Sequence, residues 1–334
     1  MEQQKMINFM GQRKIASIIS TILVIGSLFG LFVKGLNLGI DFTGGTIIEL
    51  NYDRPADVDK IRTVLQKTGF DSATVQNFGS AEDVLIRIAP QEGMNSAQIS
   101  NKVLDALRAE TQGKIDVRRV EFVGPQVGEE LTQDGALAVI YALIGILIYV
   151  ALRFEFRFAV GSVAALVHDV IITLGVFSWF QIQFDLTVLA AILAVIGYSL
   201  NDTIVVFDRV RENFRTLREG SPVEVTNIAV NQMLSRTIMT SLTTLVVLLA
   251  LFFLGGEIIH GFALALIVGI VVGTYSSTYI ASAIALALGV SKADLMKPEK
   301  TGPSAEEAEA ELQRAFLEAE ARREARLAEK ASKS

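Results

Sequence analysis

A carboxamide and a carboxylate lie side by side, at Asn201 and Asp202, inside a stretch of otherwise apolar residues. A charged side chain at the centre of a membrane-spanning helix costs about 2.5–3.5 kcal/mol, and less towards its ends. Asp202 lies roughly six residues, or about 9 Å, from the end of its apolar run, and its short side chain cannot extend to the membrane surface. The pair predicts a group that binds and releases a proton. The alternative is a polar contact used only for helix packing.

Arg236 begins a later apolar run and is a candidate counter-charge for Asp202. A nearby positive charge favours the ionised carboxylate, so protonation would depend on how closely the two groups are held. Alternatively, Arg236 only marks the cytoplasmic end of a span. Hydroxyl groups follow it at helical spacing and either provide steps for a proton or bond to their own helix carbonyls; they are Thr237, Thr240, Ser241, Thr243 and Thr244.

Asp169, preceded by His168, lies near the middle of a third apolar run. Its depth makes it a second candidate for proton transfer, and the alternative is a protonated, static hydrogen bond between helices. It shares a helical stripe with smaller residues; the stripe is Ser162, Ala165, Asp169 and Thr173.

Small residues form two further stripes along predicted helices. Such stripes let another helix approach closely. One passes through the Asn-Asp pair, and Tyr198, one turn before Asp202, is placed to hydrogen-bond to that carboxylate; the stripe is Ala190, Ala194, Gly197 and Asn201. The other repeats every four residues and predicts a close-packing face; it is Gly269, Gly273, Ser277 and Ala281.

The composition places these residues in a membrane. The 334 residues are 51% hydrophobic and only 20% charged, an unusual combination for a soluble chain of this length. A net charge of −6 without a basic excess argues against a nucleic-acid partner. The absence of cysteine excludes thiol chemistry and Cys-ligated metals, and two distant histidines give little basis for a metal site. No P-loop or nucleophile-elbow motif is present.

Six apolar runs are long enough to cross about 30 Å of hydrocarbon. Lys and Arg cluster before the first run, between the second and third, and between the fourth and fifth, which predicts cytoplasmic N- and C-termini. The first run lacks a cleavage site and reads as an uncleaved anchor. The runs are Ile15–Val33, Ala136–Leu152, Phe158–Phe180, Leu186–Phe207, Thr237–Leu254 and Phe262–Leu288.

The predicted organisation has four parts. Residues 1–33 form the cytoplasmic N-terminus and first helix, 34–135 an outer α+β domain, 136–290 the other five helices with a cytoplasmic loop at 208–236, and 291–334 a charged cytoplasmic tail. The outer segment has the order βαββαβ, which predicts a ferredoxin-like layer of two helices on an antiparallel sheet. Within it, Ser96 is predicted to cap the second helix. Ser221 and Glu224 predict a capping box between the fourth and fifth spans.

Several long motifs resemble those of the SecF family, part of the SecD/SecF group of bacterial protein-export subunits in the resistance-nodulation-division superfamily. The similarity extends over about Ile15–Val290, in matching order and topological position, and excludes the tail. The motifs are LGIDFTGGT (Leu38–Thr46), VGPQVGEEL (Val123–Leu131), VHDV (Val167–Val170), IGYSLNDTIVVFDRVREN (Ile196–Asn213) and SRTIMTS (Ser235–Ser241).

The resemblance implies a function and a set of partners. It implies a subunit without its own hydrolytic site that acts with SecD, uses the proton gradient rather than a cofactor, and assists export by the SecYEG channel after the motor SecA. YajC, unfolded exported polypeptides and the bilayer are the other implied partners. It also links Asp202 and Arg236 to proton transfer. The LGIDFTGGT motif, with Asp41, Gly44 and Gly45, is interpreted as structural, because glycines suit a chain that turns sharply at the membrane surface.

Two other functions remain open from the sequence. A proton-driven exporter of a small molecule or lipid predicts a deep cleft in a larger outer domain. A scaffold that only organises the export channel predicts intramembrane charges that serve packing alone.

Overall fold

The structure is a computed structural model, and it describes residues 6–91, 93–110, 114–217, 219–290 and 313–314. The first spanning helix, α1, occupies Arg13–Lys34 and follows a 3-10 turn at Met10–Gln12. A two-residue strand, β1 (Asn37–Leu38), and a single helical turn, α2 (Ile40–Thr43), then lead into the α+β domain. Apart from residues 313–314, the predicted tail at 291–334 lies outside the described residues.

The α+β domain has the predicted element order. Its four strands pair antiparallel in the order β3-β4-β2-β5, so that each βαβ unit has one strand inserted between its own two. This arrangement agrees with the predicted ferredoxin-like layer. The elements are β2 (Gly45–Tyr52), α3 (Val58–Lys67), β3 (Thr74–Phe78), β4 (Ser80–Ile88), α4 (Ser96–Glu110) and β5 (Ile115–Val123).

One face of this sheet and the two helices enclose a hydrophobic core. Alternating residues of β2 and β4 are fully buried against α3 and α4, including Ile48, Leu50, Val84 and Ile86. The prediction that Ser96 caps α4 is wrong. Asn95 and Gln98 exchange side-chain to backbone hydrogen bonds of 2.9 Å in each direction, so Asn95 is the capping residue.

Most of the remaining helices are longer than the apolar runs that predicted them, because polar turns extend them at their ends. In chain order they are α5 (Pro125–Arg153), α6 (Phe156–Phe180), α7 (Leu186–Thr216) after a short strand β6 (Gln183–Phe184), α8 (Pro222–Leu254) and α9 (Glu257–Ser276). A π-helical turn at Ser277–Ala281 separates α9 from α10 (Ser282–Ala287), where one continuous helix was expected. The connection at 208–236 between the fourth and fifth spans is largely helical, and the Ser221–Glu224 capping box is confirmed.

Six helical segments of the described chain are long and apolar enough to cross a membrane, as predicted. Within the most apolar window of each segment, 56% of α6 and 50% of α7 is buried, against 11% of α5 and 17% of α8. α6 and α7 are therefore the inner helices of the bundle. Large apolar side chains cover the outer surfaces of α1, α5 and α8.

The glycine stripe of α9 packs against α7. A side chain at Gly269 would collide with Val195, and one at Gly273 would come within 3.0 Å of the Ser199 Cβ atom. Ser277 is buried but begins the π turn, so the four-residue repeat changes register there. At the end of the turn, the chain lies against α6, where the Ala281 carbonyl oxygen approaches Gly161.

Candidate functional site

Asp202 lies on α7 among buried residues of the bundle. Its side chain is 5% exposed, and its Oδ2 atom has no hydrogen-bond partner among the described residues. Arg236 on α8 interacts with this carboxylate electrostatically, without a direct ion pair among the described contacts. An ionised carboxylate that lacks partners is costly to bury. This group is thus suited to bind a proton or to receive a hydrogen-bond donor from another polypeptide.

Asn201 and Arg236 lie on surfaces that this chain leaves exposed. So do the other members of the small stripe on α7, and a side chain added at Gly197 would meet no atom within 4 Å. The stripe is therefore an exposed face of small residues without a neighbouring helix in the described chain; it is Ala190, Ala194, Gly197 and Asn201.

The predicted hydrogen bond between Tyr198 and Asp202 is wrong. The Tyr198 hydroxyl is buried and has no partner among the described residues, and neither does the Asp202 Oδ2 atom. Helical spacing brought the two residues to neighbouring turns, but it did not determine how the ring is oriented.

Asp169 lies at the meeting point of α6, α7 and α9 and is fully buried. Its Oδ2 atom accepts hydrogen bonds from the Ser199 hydroxyl at 2.6 Å and the Ser276 hydroxyl at 2.7 Å. Its Oδ1 atom lies 2.9 Å from the His168 Nδ1 atom. The arrangement is that of an interhelical hydrogen-bond cluster, the alternative that the sequence left open beside proton transfer.

Sequence reasoning missed Ser199 and Ser276 as partners of Asp169. They lie 30 and 107 residues away from it, so no local spacing connects them. The available signal was indirect. Ser276 adjoins Ser277 of the predicted close-packing face, and hydroxyls at such faces commonly bond across to another helix, whereas Ser199 adjoins no residue of a predicted stripe.

The hydroxyls of α8 mostly bond to their own helix. Thr240 donates to the Arg236 carbonyl at 3.1 Å, Thr243 to that of Met239 at 2.9 Å, and Thr244 to that of Thr240 at 2.9 Å. Ser241 differs, because its hydroxyl lies 2.7 Å from the Thr274 hydroxyl on α9. Most of this face therefore follows the structural alternative rather than the proton-path interpretation.

The LGIDFTGGT segment joins the α+β domain to two helices. Gly44 and Gly45 have φ values of +67° and +128°, which favour glycine. A Cβ atom at Gly45 would lie 2.5 Å from the Ile88 carbonyl oxygen, and one at Gly44 would lie 2.8 Å from the Pro125 Cα atom. The Asp41 Oδ2 atom accepts a 3.0 Å hydrogen bond from the Leu186 backbone amide, at the start of α7. The segment thus requires glycine at two backbone positions and also caps a spanning helix.

Arg87, a residue of β4 that sequence reasoning did not select, reaches the same junction. Its Nη1 atom donates to the Asn37 side-chain oxygen and to the Leu38 carbonyl, each at 3.1 Å. Burial lowers the pKa of the Arg87 guanidinium from its usual value, while the nearby Asp185 carboxylate acts in the opposite direction. No sequence pattern singled it out, because an arginine in a strand normally faces solvent.

Neither histidine belongs to a group of ligands. His168 contacts Asp169, and the His260 ring stacks on Phe252 with 3.9 Å between ring centroids. The part of the chain that the structure describes contains no group of three or more Asp, Glu or His side chains suited to a metal ion.

Sequence comparison shows which family the chain belongs to. The profile described as "Protein export membrane protein SecD/SecF, C-terminal" matches residues 102–291, and the SecD/SecF GG motif matches residues 29–56. The protein translocase subunit SecF of Vibrio alginolyticus is 53% identical over 306 residues, covering 92% of this chain and 97% of that protein. The chain belongs to the SecF family. The Pseudomonas aeruginosa member is 51% identical over 294 residues, covering 88% of this chain and 95% of its own.

Solved structures agree with the SecF fold. The crystal structure of SecDF, a translocon-associated membrane protein from Thermus thermophilus, superimposes with a TM-score of 0.78 at 40% identity over 85% of this chain. A super-membrane-facing form of SecDF gives a TM-score of 0.65 over the same share. This chain spans only 39% of the SecDF chain in each case. With its six apolar helices, this SecF-family chain is a multi-pass membrane protein of the protein-export system.

Proposed function

We propose that this chain acts with SecD to use the proton motive force for Sec-dependent protein export across the bacterial cytoplasmic (inner) membrane, after translocation driven by SecA. The observation that carries the proposal is the buried Asp202 carboxylate, which lacks a partner at Oδ2 and lies near Arg236 and an uncovered helix face. Protons are the coupling ion, no cofactor is used, and the chain has no hydrolytic site of its own.

SecD supplies the missing half of the bundle in this proposal. Two observations support it: the uncovered stripe on α7 and the 39% share of the longer SecDF chain that this chain spans. The SecYEG channel, SecA and YajC are the further partners. The distribution of Lys and Arg supports cytoplasmic termini and a periplasmic, or extracellular, position for residues 34–135.

One proton per cycle supplies a useful driving force. Moving one charge through 100 mV is worth about 2.3 kcal/mol, which shifts a two-state equilibrium by about 50-fold. Protonation of Asp202 from the outer side, rearrangement of the bundle and release of the proton inward would couple this energy to the α+β domain and the exported polypeptide.

The first prediction concerns Asp202→Asn, a substitution close to isosteric that removes the ionisable group. In energised membrane vesicles, we expect normal insertion and SecD assembly, with release of an exported protein reduced to the rate seen without a gradient. Asp208→Asn is the matched control, because Asp208 is an exposed carboxylate on the same helix, 3.1 Å from Arg153. Gradient stimulation that persists in Asp202→Asn would instead favour the scaffold function.

A further inference from the structure

The first turn of α7 is held by two carboxylates from different segments. The Asp185 Oδ1 atom accepts hydrogen bonds from the Val188 amide at 3.0 Å and the Thr187 hydroxyl at 2.6 Å. Asp41 adds a second cap through the Leu186 amide. Carboxylates satisfy the free amides at a helix N-terminus and stabilise its positive end. The start of α7 is therefore fixed to the turn that enters the α+β domain.

A two-stranded ribbon strengthens this connection. β1 and β6 pair in parallel, with Asn37 opposite Gln183 and Leu38 opposite Phe184. The Gly39 amide continues the pairing with a 2.7 Å hydrogen bond to the Phe184 carbonyl. Because β6 directly precedes α7, a displacement of that helix end must carry the ribbon with it.

Arg87 joins the domain's sheet to the ribbon. Its two hydrogen bonds end on β1, and its guanidinium also lies in the field of the Asp185 carboxylate that caps α7. Hydrogen bonds that involve a charged group are about twice as strong as neutral ones. One side chain of the sheet thus contacts the ribbon and is electrostatically linked to the helix cap.

Beside the junction, the sheet and the helix ends are separated by a cavity of about 470 Å³. Its lining includes Ile47, Leu85 and Arg119 from the sheet and Gln183, Asp185 and His260 from the membrane helices and their connections. The domain is consequently held at the junction and not packed tightly beside it. Such an arrangement lets the domain tilt about the junction while the ribbon stays intact.

We propose that Arg87 is a positioning residue of the translocation cycle, which transmits displacement of α7 to the α+β domain. The proposal rests on the proposed function, because the displacement is the one that accompanies protonation of Asp202. α7 is continuous from Leu186 to Thr216. Asp202 and the capped N-terminus therefore belong to one continuous helix, about 24 Å apart at helical rise.

The second prediction concerns the distance between two spin labels, one on the α+β domain and one on the helix bundle. This distance is measured in the complete complex with a cysteine-free SecD, in lipid nanodiscs. The absence of native cysteine in this chain allows labels at Gln66→Cys on α3 and Leu254→Cys at the end of α8, both at exposed positions. Asp202→Asn is expected to change the distance distribution, and Arg87→Gln to abolish that change. Gradient-dependent release should fall about tenfold or more in Arg87→Gln, because the charged donor to the Asn37 and Leu38 oxygens is lost.

Two further variants separate positioning from simple stabilisation. Arg87→Lys keeps a cationic donor for the Asn37 and Leu38 oxygens, and we expect it to restore the distance change. Arg119→Gln removes another guanidinium of the same sheet, one that lies near Glu49 and Glu121 rather than the ribbon, and should leave the change intact. Amide exchange of the α+β domain checks that each variant folds.

The outcomes distinguish this inference from the proposed function. A distance change that persists in Arg87→Gln, or that Arg119→Gln removes equally, overturns the role of Arg87. Loss of gradient-dependent release in Asp202→Asn without any change in distance also overturns it, while the proposed function stands. If Asp202→Asn alters neither quantity, both proposals are wrong.

Discussion

Two carboxylates in apolar helices have opposite surroundings. Asp169 is the deeper by sequence, yet both of its oxygens have polar neighbours, from Ser199, Ser276 and His168. Asp202 lies nearer the end of its apolar run and has an Oδ2 atom without a partner among the described residues. Depth alone would rank Asp169 first as a proton site. The hydrogen-bond donors reverse that ranking, because fixed donors already hold the Asp169 carboxyl group in one position.

The third prediction follows for Asp169→Asn. The amide group would face a serine hydroxyl or His168, so at least one hydrogen bond should be lost, at a cost of about 1–2 kcal/mol. We expect a lower thermal midpoint of the purified chain in detergent, while the export activity that remains still responds to the gradient. Ser162→Ala is the control on α6, because the buried Ser162 hydroxyl has no partner among the described residues. An unchanged midpoint with loss of gradient response would identify Asp169 as a titrating group.

At the scale of elements, the position of α7 depends on contacts at one of its faces and at its start. α9 approaches it closely through Gly269 and Gly273, and the Asp41 turn caps its first residues. Its outward stripe has no covering helix in the described chain. A helix that is fixed at its start and along one face, with its other face uncovered, can move against a partner that packs on the uncovered face.

The fourth prediction concerns the contact between α7 and α9. Gly269→Ala would place a methyl group against the Val195 side chain, and such overpacking costs about 1–3 kcal/mol. Gly26→Ala is the control, because a Cβ atom there would meet nothing within 4 Å. A helical Gly→Ala change without a clash gains up to about 1 kcal/mol of helix propensity. The two variants should therefore shift the thermal midpoint in opposite directions, and equal shifts would argue against close packing at Gly269.

At the scale of the whole molecule, the described chain is a helix bundle in which one inner helix has an uncovered face. α6 and α7 are its most buried helices, yet one face of α7 remains open and carries only small or polar residues. Elsewhere the outer surface is bulky and apolar, as on α5, where Ile144 and Ile148 are exposed. Lipid suits the bulky surface, whereas a face of small residues allows close contact with another helix.

The fifth prediction tests which of these surfaces meets SecD. Gly197→Leu fills the open face of α7, and we expect much less SecD to co-purify with the chain from mild detergent. Gly145→Leu adds the same side chain to the bulky surface of α5, where a Cβ atom would have no neighbour within 4 Å, and should leave co-purification unchanged. The interface assignment would be wrong if both variants retained SecD equally.

The sequence by itself determined the features that depend on neighbouring residues. Hydropathy located six spans, and turn and capping residues predicted the βαββαβ order and the Ser221 capping box, because these signals arise within a few turns of chain. The long motifs predicted the family. Where a signal was ambiguous over one or two positions, as at Ser96, the choice between adjacent residues was wrong.

Only the tertiary structure decided which side chains meet. The donors to Asp169, the helix cap from Asp41 and the reach of Arg87 join residues that are separated by 30 to 145 positions. The supposed Tyr198 partner of Asp202 failed for the same reason, since helical spacing brings residues to one side without orienting their side chains. Hydrogen bonds form only between atoms about 3 Å apart. The packing of helices that are far apart in sequence determines which atoms come that close.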